Sequence, residues 1–207
     1  MKIIQLYGLR RSGTHALVGW LKHNFTSALH SNRFCFLNDV VEMRERFVTN
    51  FEYSKKNCDV LINTYEDTSS NLDLISEPSH KIVLIRDIFN LAASRIKRGT
   101  DDMKVDENFV NLWLEHSQST NLFKYEDFLL NKEKRDELCL KLDVDNLDHT
   151  EEVSPNGFGS SFIGIKLDTK ENYLNRYKMV EFSDNVVKLL SDSRIQEARE
   201  KLGYSVL

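Results

Sequence analysis

Three short aliphatic runs limit what this chain can fold into. KIIQLY (residues 2–7), DVLIN (59–63) and KIVLIR (81–86) are too continuously apolar to alternate between a wet and a dry face. They read as strands buried on both sides, which is the habit of parallel sheets. Parallel strands need crossovers, usually helical, and helical spacing follows them. Ala16, Leu17, Trp20 and Leu21 form an apolar stripe over residues 14–25, with Ser12 as the expected N-cap. Residues 87–97 make a second helix, in which Leu91, Ala92 and Ala93 are small enough to lie against a sheet. Residues 108–117 make a third, and 121–124 a short fourth strand. Val186, Val187, Leu189, Leu190, Ile195, Ala198 and Leu202 predict one long amphipathic helix over 183–202. The expected fold class is α/β, a three-layer sandwich with a central parallel sheet.

With 207 residues the chain suits a single domain spanning 1–207. Its formal net charge of -4 disfavours a general grip on nucleic acid, so any bound anion must be caught locally. The three cysteines, Cys35, Cys58 and Cys139, have neither metal-ligand spacing nor an even count, and read as reduced thiols of a cytoplasmic protein. The apolar opening run is too short for a leader and nothing approaches a membrane span, so a soluble protein is expected. Residues 145–170, with Pro155, Gly157, Gly159 and Gly164, read as a loop.

The turn after the first strand is GLRRSGTH, residues 8–15. Two glycines let backbone N–H groups converge, and the following helix adds its positive end, a geometry that binds phosphate or sulfate. Arg10, Arg11, Ser12, Thr14 and His15 can add side-chain donors, each charge-assisted bond contributing roughly 1.5–3 kcal/mol in a dry pocket. The Gly8 to Gly13 spacing is that of a P-loop, but Thr14 stands where the Walker lysine belongs. The second informative stretch is LIRDIFNLAAS, residues 84–94, which puts Arg86 at the C-terminal end of a strand and Ser94 two helical turns beyond it.

Together these stretches resemble PAPS-dependent sulfotransferases. GLRRSGTHALVGWL is similar to their 5'-phosphosulfate loop and LIRDIFNLAAS to their 3'-phosphate motif; KYEDF (124–128) and NRYK (175–178) resemble further recurrent segments of the family. Arg11 stands where the family often has lysine, and Ile88 where it usually has proline. The resemblance implies a P-loop NTPase-like sulfotransferase fold, with PAPS as donor, PAP as product and no metal. It implies that Arg11, Ser12, Gly13, Thr14 and His15 hold the 5'-phosphosulfate, and Arg86 and Ser94 the 3'-phosphate. It implies also that a loop with Gly159, Ser160 and Ser161 closes over the nucleotide, the two serines replacing the usual basic residues.

Sulfuryl transfer needs a nucleophile in line, neutralisation of the leaving group and a base for the acceptor's proton. Arg11 and the loop amides suit the second task, and His15 either donates to the phosphosulfate or packs at the helix start. Glu66, after the strand in INTYEDT, is the first candidate base. Asp39 in FLNDV is the second, with His30 behind it. The acceptor is expected to be a hydroxyl or amine of a small molecule or glycan, seated by loops 26–38, 68–80 and 99–106. The rival functions are a P-loop nucleotide kinase or NTPase, and a PAP-binding module without catalysis.

Overall fold

The computed structural model of the chain describes residues 1–31, 40–71, 80–148, 150 and 174–204. Asp39 and the loop bearing Gly159, Ser160 and Ser161 lie outside the described residues. Among the described residues five strands, β1 (Lys2–Gly8), β2 (Ala28–Ser31), β3 (Val60–Glu66), β4 (His80–Ile85) and β5 (Leu122–Lys124), form one sheet in the order β2-β3-β1-β4-β5. Every pairing is parallel. The described α-helices are α1 (Thr14–His23), α2 (Val40–Asn57), α3 (Ile88–Arg98), α4 (Glu107–Ser117), α5 (Tyr125–Leu130), α6 (Lys132–Leu142), α7 (Asp184–Leu190) and α8 (Ser193–Lys201).

Strand alternation divides the core. Ile4, Leu6, Ile62, Ile82 and Leu84 pack with Leu17, Trp20 and Leu21 of α1, Phe128 of α5 and Leu138 of α6. Ile85, one residue beyond Leu84, joins the opposite cluster with Leu91, Trp113, Leu190 and Ile195 of α3, α4, α7 and α8. Both sheet faces are therefore covered by helices, an α/β arrangement consistent with three layers. Each large side chain fully buried in these clusters contributes roughly 1.5–3 kcal/mol. No described helix is long and apolar enough to cross a membrane.

Strand order locates the site. From β1 the chain runs out to edge strand β2, returns as β3 on one side of β1, and crosses to β4 on the other. The C-terminal end of β1 is therefore a switch point, where open α/β sheets form their ligand crevice. In register there, Gly8 lies between Glu66 and Leu84.

Two expectations are corrected. The tail is two helices rather than one, because Asp192 caps a new helix by accepting from the Arg194 N–H at 2.8 Å. The N-cap of α1 is Gly13 rather than Ser12; the Ser12 hydroxyl turns instead toward Thr14 Oγ1 at 3.3 Å.

Candidate anion site at the sheet switch point

The loop after β1 is shaped by two left-handed residues, Arg11 (φ 78°) and Gly13 (φ 100°). Alternating handedness can turn successive N–H groups toward one side; in this loop the Ser12 N–H closes a turn on the Leu9 carbonyl at 2.9 Å, and the Arg10 N–H is held by Asp67. Gly13 is required twice over: its φ favours glycine, and a Cβ there would collide with the Tyr125 ring. A Cβ on Gly8 would stand 2.8 Å from Ser12 Oγ and 3.3 Å from the Leu84 carbonyl, so the loop folds back closely over the strand it leaves. Ser12 and Thr14 are both buried.

Arg86 follows β4 and is only 2 % exposed. Its Nη1 donates to the Arg11 carbonyl at 3.2 Å, and its guanidinium lies 5.0 Å over the Tyr125 ring. The loop and the strand-end arginine, 75 residues apart in sequence, are thus in direct contact. Burial lowers the pKa of Arg11, and the nearby Arg98 and Arg86 lower it further, while Glu66 opposes them. Several guanidinium groups held near one another in this way favour a bound anion, which relieves their repulsion. Ser94 is buried on α3, one residue before Arg95, whose Nε donates to the Arg10 carbonyl at 3.3 Å; this turn of α3 lies against the loop.

Arg10, expected from the sequence as an anion donor, also braces the loop. Its Nε donates to Asp67 Oδ2 at 2.5 Å and its backbone N–H to Asp67 Oδ1 at 3.0 Å. Arg95 Nη2 also donates to Asp67 Oδ1, while its Nη1 reaches the Lys104 carbonyl. Asp67 ties itself back to β1 through its N–H on the Gly8 carbonyl at 3.0 Å. One carboxylate therefore fixes both the side chain and the main chain of Arg10.

Glu66 ends β3 beside the loop and is 8 % exposed. Burial raises its pKa, partly offset by a hydrogen bond from the Thr14 hydroxyl and by Arg10 and Arg11, with Asp67 pushing the same way as burial. His15 stands edge-on to His30, ring centroids 6.1 Å apart. The Thr64 hydroxyl donates to the Ser31 carbonyl at 3.3 Å and so accepts from His30 Nε2 at 3.2 Å, which puts the proton of the neutral ring on Nε2. Burial, then His15 and Lys22, lower the His30 pKa to about 4; burial and Arg11 lower that of His15. Both imidazoles are neutral at pH 7.

Of the residues expected at the site, the structure gathers Arg10, Arg11, Ser12, Gly13, Thr14, His15, Glu66 and Arg86 at the C-terminal end of β1 and β3 and the start of α1, with His30 of β2 beside His15. Asp67, Arg95, Arg98 and Tyr125 were not read as site residues. Tyr125 lies within KYEDF, so its segment, though not its role, was visible. Among the described residues no group of three or more His, Cys, Asp or Glu is arranged to hold a metal.

No family model matches the chain, and no curated protein matches it.

Proposed function

We propose that this chain is a PAPS-dependent sulfotransferase of the P-loop-like fold, moving a sulfuryl group from PAPS to a hydroxyl or amine of a small molecule or glycan. The observation that carries the reading is the contact between Arg86 and the Arg11 carbonyl. It joins the loop after β1 to the strand-end guanidinium, an arrangement suited to a nucleotide with an anion at each end. The glycine-shaped loop and the desolvated Arg11 fit that group.

In this reading the loop amides, Arg11 and the Ser12 and Thr14 hydroxyls bind the 5'-phosphosulfate, and Arg86 with Ser94 binds the 3'-phosphate. PAPS supplies the sulfuryl group and, as PAP, a stable leaving group. Arg11 and the loop amides neutralise charge in a site where water is largely excluded, the condition under which such donors act most strongly. Glu66 takes the acceptor's proton on its carboxylate, and its raised pKa makes it a stronger base than an exposed glutamate. The neutral His15 orients the anion or the acceptor without adding charge. The free thiols Cys58 and Cys139 fit a reducing, cytoplasmic setting.

One observation favours the kinase or NTPase reading. Glu66, an acid at the end of the strand beside the loop, is a carboxylate of the kind that holds Mg²⁺ in P-loop sites. Thermal-shift titration with PAP, PAPS, ATP-Mg and GTP-Mg decides between them, since a ligand at a hundred times its Kd stabilises the fold by about 2.7 kcal/mol. Stabilisation selective for PAP and PAPS is expected; preference for a Mg-nucleotide rejects the proposal. Arg86→Ala should weaken PAP by more than about 1.5 kcal/mol, over tenfold, through loss of charge-assisted bonds. Unchanged calorimetric affinity removes Arg86 from the site. Release of PAP from PAPS with a panel of sugars, phenols and amines separates an enzyme from a binding module.

A further inference from the structure

The peptide unit joining Arg86 to Asp87 is gripped from both sides. The Arg86 carbonyl accepts from Trp113 Nε1 at 2.9 Å, and the Asp87 N–H donates to Glu126 Oε1 at 3.1 Å. The other oxygen of Glu126 accepts from the Tyr204 hydroxyl at 2.8 Å. Asp87 caps α3 with Oδ1, accepting from the Phe89 and Asn90 N–H groups, and turns Oδ2 to Arg199 Nε and Nη2 at 3.1 and 3.0 Å. Lys124 Nζ donates to the Leu202 carbonyl at 3.0 Å, which fastens the end of α8 to the same edge of the sheet. Arg199 and Asp87 are both buried, and the Arg199 guanidinium lies 4.6 Å over the Phe89 ring.

Fixing the carbonyl of residue 86 and the N–H of residue 87 fixes the peptide plane from which the Arg86 side chain departs. That side chain then crosses Tyr125, the neighbour of Glu126, to reach the loop. We infer that Arg199 and Tyr204, at the C-terminal end of the fold, are positioning residues for Arg86, so that docking of α8 and binding of a 3'-phosphate are thermodynamically coupled. The inference rests on the proposed assignment of Arg86 to the 3'-phosphate. Coupling of this kind is reciprocal: if α8 docking strengthens the grip, occupancy of the grip protects α8.

The test compares PAP with AMP, which keeps the 5'-phosphate and lacks the 3'-phosphate. Calorimetry on the full chain should give a PAP-to-AMP affinity ratio that falls about tenfold in Arg199→Met and about threefold in Tyr204→Phe, with AMP affinity held within about twofold. General loosening of the fold would weaken both ligands together and leave the ratio where it was. Hydrogen exchange on the unaltered protein is the second measurement: PAP should slow amide exchange in residues 193–204, and AMP should not. A ratio unchanged in both variants, or equal protection by the two ligands, overturns the coupling while Arg86 keeps its role. An unaltered protein that binds AMP as tightly as PAP overturns the 3'-phosphate assignment itself and the coupling with it.

Discussion

Replacing Asp67 with alanine is expected to destabilise the fold by about 3–5 kcal/mol, the cost of leaving a buried charge without its partner. Arg95 is 4 % exposed and faces Asp67 through Nη2, while Arg10 contributes its Nε and N–H to the same carboxylate. Burial lowers the pKa of Arg95, and Asp67 is the chief group opposing that shift. The backbone adds to the loss, since Asp67 sits at φ 54°, a left-handed conformation that aspartate adopts more readily than alanine. Asp67→Asn keeps an acceptor and tolerates the left-handed region, so it should lose markedly less. Urea midpoints at pH 7 read both values. A loss below about 1 kcal/mol for Asp67→Ala would mean that Arg95 finds a replacement partner or water, and that the loop does not depend on this carboxylate. Because Asp67 also sets the Arg10 main chain, Asp67→Asn should weaken PAP even where the fold survives.

The elements that the sequence exposed are those whose stability is local or fully apolar. Strands β1, β3 and β4 are buried through most of their length, so aliphatic continuity alone marks them. β2 escaped because it is four residues of an edge strand, mostly half-buried, with a histidine and a serine among them. α6 escaped for a different reason: KEKRDELCLKL offers only Leu138, Cys139 and Leu142 as buried apolar contacts, too few for a clear stripe. The break between α7 and α8 was legible in principle, since Asp192 followed by Ser193 is a capping signal, but the apolar spacing runs across it. At the site, the loop and Arg86 were visible because glycine spacing and an arginine at a strand end carry their chemistry locally. The bracing was not. Asp67 meets Arg10 across 57 residues and Arg95 across 28, and Tyr204 meets Glu126 across 78. Such pairings follow from strand order, which a single sequence does not print. The bracing of Arg10 was hidden for the same reason: an arginine in a glycine loop does not announce its distant carboxylate.

Glu66→Gln should lower turnover of PAPS by a factor of about 100 to 10,000, the usual contribution of a general base, while PAP binds nearly as before. The amide keeps the shape and the contact with Thr14 but cannot accept a proton. Two pH profiles make this more than a loss-of-activity result. The native pKa of Glu66 lies above its unfolded value, so across that interval the folded chain holds the extra proton. Stability is then greatest at the acid end and falls as pH rises through the folded pKa. The Glu66→Gln variant lacks this ionisation, so its urea midpoint should exceed that of the unaltered protein at neutral pH and converge with it toward pH 4.5, a gain in stability accompanying a loss of rate. The second profile is the rate itself. With Glu66 as base, the acid limb lies above the ordinary carboxylate range. A variant that keeps more than about a tenth of the rate, together with a limb near pH 4, the value to which burial depresses His30, would instead make His30 the base. Glu66 would then be a buried carboxyl whose task is to hold the Thr14 hydroxyl.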